Sequence, residues 1–270
     1  MNDAANEKIL LQVINIVGAQ NALTKHEALI FSLQLLGWAK MSLSGELKDS
    51  ITIQQRSFAD LGWVMNVWDE IAERSDTLKA AYSSSKMPAL LSPTQMSAAI
   101  DLCMHLAETG VFSKFDPTDC LPLVIGREAS EYSLPAELAD VMTALARIKP
   151  QTSVYTPWAA SIQLAVRAAK QGAEAYLETM RERQLPALIS MFVNGVITIA
   201  HGDPIREPSA VESGTLRKFD TCLSFPPIGT RYESDVFKRD WYGRFKERTN
   251  SGTALAIWHI IAQTRGRAVV

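Results

Sequence analysis

Apolar residues in the first half of the chain recur at the spacing of helices. A capping pattern at Thr24–Glu27 precedes an apolar stripe over residues 29–36, and a second cap at 92–95 opens another helical stretch. A further stripe covers residues 60–72. The pattern therefore predicts a helical domain over residues 1–130.

After about residue 130, short apolar runs alternate with helical stretches. The runs cover residues 154–155, 173–176, 196–200 and 219–225, and the helical stretches cover 159–170, 178–192 and 253–263. This alternation predicts an α/β domain with a mostly parallel, doubly wound sheet over residues 131–270. Pro186 lies inside one predicted helix and predicts a kink or a break there. Ligands of such sheets bind beyond the carboxyl ends of the strands, so the residues after each run are candidate site residues.

Composition is typical of a globular protein with one large or two modest domains. Of the 270 residues, 47% are hydrophobic and 21% are charged. The formal net charge of -2 argues against a protein held on nucleic acid by bulk charge, and it leaves room for a local basic groove.

The cysteines and the N-terminus indicate in which cellular compartment the protein is expected. The three cysteines show no CxxC pairing, and His26, His201 and His259 form no spaced metal pattern, so we expect neither disulfides nor a metal site. The polar N-terminus is unlike a signal peptide, and no apolar run approaches the roughly 20 residues that span a bilayer. We therefore expect a cytoplasmic protein that does not bind membranes.

Several patches near the predicted strand ends occur in a characteristic order. The run 219–229 reads Phe-Asp-Thr-Cys-Leu-Ser-Phe-Pro-Pro-Ile-Gly, and a proline pair that ends a buried strand is unusual because proline cannot donate to a ladder. The other patches are Glu-Tyr-Ser-Leu-Pro at 131–135, Ser-Val-Tyr-Thr-Pro-Trp-Ala-Ala-Ser at 153–161, Gly-Ala-Glu at 172–174, His-Gly-Asp-Pro at 201–204 and Ser-Gly-Thr at 251–253.

In this order the patches resemble the motifs of N6-adenine DNA methyltransferases, in particular the modification subunits of type I restriction-modification systems. Those proteins carry a helical domain ahead of the same motifs. The resemblance implies a Rossmann-like class I S-adenosylmethionine-dependent domain, with DNA as substrate and specificity and restriction subunits as partners. It also implies a fold that continues past Val270, so we expect a truncated chain or a shortened homologue.

The resemblance implies which residues would hold the cofactor, S-adenosylmethionine. These are Thr156, Pro157, Ala160, Ser161, Ile162, Glu174 and Asp203. The family's loop reads Asp-Pro followed by Gly-Ser-Gly, and here Thr156 replaces the acid while Ala160 and Ile162 replace the glycines. Because a β-branched side chain hinders a tight turn, we expect weak or undetectable cofactor binding.

The catalytic motif departs further from the family's pattern. Its positions are Phe225, Pro226, Pro227 and Ile228. In the family, the first residue and a proline carbonyl accept hydrogen bonds from the amino group of a flipped adenine, and an aromatic residue stacks on that base. Phe225 has no acceptor and Ile228 has no aromatic face, so we expect impaired or lost catalysis.

Other interpretations remain open at this stage. A methyltransferase that uses unusual residues, a non-catalytic scaffold that binds DNA or a partner, and an unrelated nucleotide-binding α/β protein all fit the pattern. Residues 231–248 interleave basic and aromatic side chains, which suits a nucleic-acid contact, and their acidic residues equally suit a solvated loop and helix.

Overall fold

The computed structural model describes residues 3–19, 23–55, 61–82, 91–113, 115–126, 134–233 and 235–270. Residues 131–133 of the first motif patch lie outside these ranges. The chain divides into two compact units, Met1–Glu128 with Gln184–Phe192, and Ala129–Arg183 with Val193–Val270. The segment Gln184–Phe192, which lies within the predicted second domain, thus belongs to the helical unit.

The elements follow one another in a mixed order. The helices are α1 (Asp3–Val17), α2 (Lys25–Leu43), α3 (Leu61–Ala72), α4 (Asp76–Tyr82), α5 (Pro93–Glu108), α6 (Leu121–Ile125), α7 (Ala136–Ala146), α8 (Ile162–Lys170), α9 (Gln184–Ser190) and α10 (Gly252–Gln263). The strands are β1 (Ser153–Pro157), β2 (Glu174–Thr179), β3 (Val196–His201), β4 (Val211–Glu212), β5 (Thr215–Leu216), β6 (Phe219–Leu223) and β7 (Thr264–Val269).

The first unit is built from helices whose starts follow from the sequence. Thr24 caps α2, because its hydroxyl accepts from the Glu27 amide at 3.2 Å while the Glu27 carboxylate accepts from the Thr24 amide at 2.7 Å. Ser92 and Gln95 form the same reciprocal pair at the start of α5. Both predicted caps are therefore confirmed.

The second unit is organised around a five-stranded sheet of order β3-β2-β1-β6-β7. Every neighbouring pair in it is parallel, while β4 and β5 form a separate antiparallel hairpin. Helix α10 covers the sheet face that carries Tyr155, Phe219 and Cys222. The predicted α/β class with a mostly parallel sheet is confirmed.

The predicted helix over residues 178–192 is wrong. Strand β2 continues to Thr179, because residues 174–179 pair with β3 along their whole length and with β1 as far as Glu178. Helix α9 begins only at Gln184, so Pro186 lies in its first turn. The amide that proline lacks would have no helical partner at that position, so the predicted kink is also wrong.

Within the described ranges, no helix combines the length and the apolar character needed to cross a bilayer. In the same ranges, no group of three or more metal-ligating side chains converges.

Candidate functional site

The crevice of a doubly wound sheet lies where the strand order reverses, and here that point is between β1 and β6. From β1 the chain proceeds to β2 and β3 on one side, and from β6 it proceeds to β7 on the other. Two loops meet beyond the carboxyl ends of the central strands, residues 158–161 between β1 and α8, and residues 224–228 after β6. Ligands of such folds bind at this point, so these loops define the candidate site.

Ser161 joins the two loops directly. Its buried hydroxyl donates to the Pro157 carbonyl at 2.8 Å and accepts from the Phe225 amide at 3.2 Å. Behind it, Ile162 begins α8 and is fully buried. Thr156, at the acidic position of the family's loop, is also buried, and its hydroxyl donates to the Tyr176 carbonyl at 3.3 Å. The structure therefore brings together residues of the two predicted motifs and joins them by a hydrogen bond.

Trp158 occupies the turn that immediately follows β1. Its backbone has φ 70° and ψ 145°, a region that glycine adopts readily and other residues adopt at a cost. Its amide donates to the Glu178 carbonyl at 2.7 Å, and its indole packs in a cluster with Ile205 and Tyr232, leaving only 6% of the residue exposed. A large apolar ring therefore fills the space next to the end of β1.

The acidic residue at the carboxyl end of β2 is Glu178. The sequence analysis placed this strand end at Glu174, but Glu174 is the first residue of β2 and pairs with Ser153, the first residue of β1. Glu174 therefore lies at the opposite edge of the sheet from the loops. The apolar run 173–176 predicts a strand that ends before Glu178, because strand length depends on the neighbouring strands, which the local pattern does not contain.

Both oxygens of the Glu178 carboxylate are engaged inside the protein. The Tyr155 hydroxyl donates to Oε2 at 2.5 Å, and the Ser209 amide donates to Oε1 at 2.5 Å. The residue has no exposed surface. Burial raises the pKa of Glu178 above its usual value, and the two hydrogen bonds partly oppose that rise.

A chain of buried polar groups continues from Glu178. The Tyr155 oxygen lies 2.8 Å from His259 Nε2, His259 Nδ1 lies 2.8 Å from an Arg244 nitrogen, and Arg244 Nε donates to Asp240 Oδ1 at 2.8 Å. Because a guanidinium can only donate, His259 Nδ1 must accept and Nε2 carries the proton. The Tyr155 oxygen then accepts from His259, and its own proton points to Glu178. We call these five residues the buried relay.

Burial and the adjacent Arg244 charge set the ionisation of the relay's histidine. Burial is the larger influence, and together they hold the pKa of His259 well below its usual value. Arg244 is fixed in turn by donating to the carbonyls of Pro204 at 2.7 Å and Ile205 at 2.6 Å. His259 is therefore a neutral structural group at ordinary pH.

Asp203 follows β3 at the same edge of the sheet as the two loops. Its Oδ1 accepts from the amides of Ile205 at 2.9 Å and Arg206 at 3.1 Å. The carboxylate thus stabilises the turn after β3, which also carries Ser209 to Glu178.

The four positions of the catalytic motif differ in their exposure to solvent. Pro226 is buried and Phe225 is half-buried, whereas Pro227 is exposed and Ile228 has 82% of its surface in solvent. Ser224, one position earlier, is fully buried, and its hydroxyl has no hydrogen-bond partner among the described residues. An exposed aliphatic side chain at 228 therefore stands where the family has an aromatic residue.

The residues that pack into the site carry no local sequence signal of their roles. Trp158, Glu178 and His259 lie within motif patches or beside them, but their roles depend on contacts between segments far apart in the chain. Arg244 was counted among basic residues of a nucleic-acid contact, whereas the structure buries it against Asp240. The spacing of Asp240 and Arg244, four residues apart, was the one local signal of that pair.

The strand order, the switch point after β1 and the acidic residues ending β2 and following β3 define the fold of class I S-adenosylmethionine-dependent methyltransferases. The chain is similar to the methyltransferase subunit of a type I restriction-modification system from Streptococcus thermophilus, with TM-score 0.66 and 14% identity over 98% of this chain and 73% of that one. It is also similar to a modification subunit of a putative type I restriction enzyme from Vibrio vulnificus YJ016, with TM-score 0.68 and 12% identity over 95% and 67% of the two chains.

A putative class I S-adenosylmethionine-dependent methyltransferase from Listeria monocytogenes has TM-score 0.53 and 14% identity over 97% of this chain and 71% of that one. No protein-family model matches the sequence, and no curated protein matches it. At these identities the likeness establishes the fold, and it confirms the resemblance to modification subunits at that level.

Proposed function

We propose that this chain is a methyltransferase-fold protein that has lost methyl transfer and keeps the architecture of a type I modification subunit as a binding scaffold for DNA or a partner subunit. The observation that carries the proposal is that the protein's own side chains occupy the carboxyl edge of the sheet beyond β1. A cavity of about 510 Å³ remains beyond β2 and β3, lined by residues that include Met180 and Asp203. Trp158 and Glu178 occupy this edge, and the Ser161 hydroxyl links its two loops.

The residues at this edge do not fit S-adenosylmethionine. A ribose is recognised when its hydroxyls donate to an accessible acid, but Glu178 is fully buried with both oxygens engaged. A glycine-rich loop lets a cofactor approach the backbone closely, but the strained, buried Trp158 puts an aromatic side chain beside the end of β1 instead. An adenosyl group would have to displace these side chains, and their burial opposes that exchange.

The adenine-binding positions support the same conclusion. Phe225 offers no side-chain acceptor to an amino group, so the target base would lose the hydrogen bond that makes its nitrogen more nucleophilic. Ile228 lacks an aromatic face, and stacking of a base on such a face typically contributes about 1–3 kcal/mol. We derive no methyl-transfer step for this chain.

The kind of scaffold follows from the structural relatives. Two of them are subunits of type I restriction-modification systems, which supports DNA and the specificity and restriction subunits of such a system as binding partners. Exposed basic side chains in the segment 231–248, among them Lys238, Lys246 and Arg248, are compatible with a nucleic-acid contact. Arg239 is partly neutralised by Asp235, at 3.2 Å.

Methyl incorporation tests the proposal. The purified chain, incubated with tritiated S-adenosylmethionine and with duplex or single-stranded DNA, should transfer no label above background, and an active adenine methyltransferase serves as positive control. Calorimetry should detect no low-micromolar binding of S-adenosylmethionine. The double variant Phe225→Asn with Ile228→Phe restores the family's motif and should remain inactive, because the cofactor position is still filled.

Two results would contradict the proposal. Labelled DNA from the unmodified chain would mean that it is a methyltransferase with unusual residues. Activity of the Phe225→Asn, Ile228→Phe variant would mean that the cofactor site opens in solution and that only the adenine motif is degenerate. Further restoration with Ile162→Gly and Thr156→Asp is expected to be necessary before any cofactor binds.

A further inference from the structure

A cavity on the α10 side of the second unit is separate from the filled edge. It lies between the β4–β5 hairpin, residues 241–246 and the last turns of α10, and has a volume of about 610 Å³. Its lining includes Leu216, Lys218, Trp241, Lys246, Trp258 and Ile261, and we call it the basic groove. A volume of this size is typical of pockets that bind small ligands or single nucleotides.

The basic groove lies toward the amino ends of the central strands. Lys218 immediately precedes β6, and Ile261 lies three residues before β7. The motif loops follow the carboxyl ends of β1 and β6. A ligand in the groove would therefore not contact the degenerate methyltransferase motifs.

Every charged residue that lines the groove is cationic. These residues are Lys218, Arg244 and Lys246. Arg244 is buried and paired with Asp240, so its charge is compensated. The Lys246 side chain is exposed, and Lys218 donates one hydrogen bond to the Ala262 carbonyl at the groove wall. An ammonium has three donors, so Lys218 keeps donors for an anion.

A large aromatic surface lies beside these charges. Trp241 has 91% of its surface exposed. Trp258 forms part of the groove wall and packs at 6.3 Å from the Phe245 ring, which holds it in place. An exposed indole next to lysines provides a stacking surface and charge for a ligand that carries both a flat ring and phosphate.

We propose that the basic groove binds a segment of single-stranded nucleic acid, with a base stacked on Trp241 and phosphates near Lys218 and Lys246. The inference deepens the scaffold function proposed above, because it names a ligand and a place for binding. A base in a duplex is already stacked between its neighbours, so an indole offers most to a base that is unpaired. An acidic peptide would use the lysines equally well, but it would leave the 91% exposed Trp241 ring without a flat partner.

The test is fluorescence anisotropy of the full chain with a labelled 12-nucleotide single-stranded oligodeoxynucleotide, a matched duplex, and a poly-glutamate peptide as competitor. The wild type should bind the single strand more tightly than the duplex. Trp241→Ala should weaken single-strand binding about 5- to 150-fold, the equivalent of one lost stacking contact. Lys246→Gln should reduce the slope of log affinity against log salt by about 0.7, as expected for one lost phosphate contact.

Two variants serve as controls. Lys149→Gln removes an exposed lysine of the same unit that does not line the groove, and Leu145→Ala removes an exposed apolar side chain on α7. Both should bind the single strand as the wild type does. Because Trp241 is exposed, its loss should leave the folded state intact, which a matching circular dichroism spectrum would verify.

Three outcomes would overturn the proposal: no single-strand binding by the wild type, equal binding by Trp241→Ala, or poly-glutamate competition that depends equally on Trp241. The last would assign the groove to an acidic protein segment. The methyl-transfer assay is independent of these results. Labelled DNA would refute the loss of catalysis with the groove unaffected, whereas absent oligonucleotide binding would refute the groove with the loss of catalysis unaffected.

Discussion

Tyr155→Phe removes a single oxygen from the centre of the buried relay. The ring would keep its stacked contact with Phe219, whose centroid lies 4.9 Å away, so the apolar packing is preserved. Glu178 would lose a donor at 2.5 Å, and the proton on His259 Nε2 would lose its acceptor at 2.8 Å. Losing one strong hydrogen bond and leaving one buried donor unpaired together cost about 3–5 kcal/mol in free energy of unfolding.

Tyr176→Phe is the matched control. Its hydroxyl is 3.3 Å from the Ser209 hydroxyl and the residue is half-buried, so the expected cost is below about 1 kcal/mol. Urea unfolding followed by circular dichroism measures both variants, and an unchanged m-value would show that the same transition is compared. If Tyr155→Phe unfolds within about 0.5 kcal/mol of the wild type, a difference typical of a neutral surface substitution, the relay is not formed in solution.

Two further predictions concern the same region. Stability should fall as the pH drops below about 6.5, because His259 stays neutral in the folded chain while the unfolded chain takes up a proton; from pH 7.5 to 5.5 this group alone costs about 1.4 kcal/mol. The raised pKa of Glu178 acts in the opposite direction, since the folded chain then binds a proton at higher pH than the unfolded chain and gains stability as the pH falls toward that pKa. Urea unfolding at both pH values should therefore show a smaller loss of stability in His259→Gln than in the wild type, because the variant lacks the titrating group. His201→Gln, at an exposed histidine, should keep the wild-type pH dependence. Equal pH dependence in the wild type and His259→Gln would refute the conclusion that His259 stays neutral in the folded chain. Gly202→Ala should lower the urea midpoint by the equivalent of about 1–3 kcal/mol, because the added Cβ would lie 2.5 Å from Glu178 Oε1; an unchanged midpoint would mean that the carboxylate moves freely.

Features that depend on neighbouring residues were predictable from the sequence. The caps at Thr24 and Ser92 involve residues three apart. The short apolar runs between helical stretches reflect parallel strands that are buried on both faces. The ordered motif patches correctly located the loops after β1 and β6 because the chain reaches both immediately after a buried strand. These signals were sufficient for the fold class.

Features that depend on pairing between distant segments were not predictable. The end of β2 is set by its register with β1 and β3, and for that reason Glu174 and not Glu178 was taken as the strand end. The relay joins Tyr155 to His259, 104 residues apart, through side chains that no periodicity places together. A single sequence indicates where strands and helices follow one another, but it does not indicate which strands pair.

The filled edge has a physical rationale that does not depend on ancestry. A sheet crevice exposes strand-end polar groups that a bound ligand normally satisfies, and without a ligand each buried group needs a partner from the protein. This chain supplies them: Ser161 accepts from the Phe225 amide, and Tyr155 and Ser209 donate to Glu178.

Asp203, the acidic residue that follows β3 at this edge, accepts with Oδ1 from two amides of its own turn. The polar groups of Glu178 and Phe225 and one oxygen of Asp203 thus have internal partners, so a cofactor that bound to them would replace existing hydrogen bonds. The Ser224 hydroxyl and the Trp158 indole nitrogen are the buried exceptions at this edge among the described residues. The net gain from such an exchange is small, because only a difference between two sets of hydrogen bonds contributes to affinity. Restoring single motif residues leaves these internal bonds in place, and for this reason we expect the edge to stay closed until the loop after β1 is rebuilt as well.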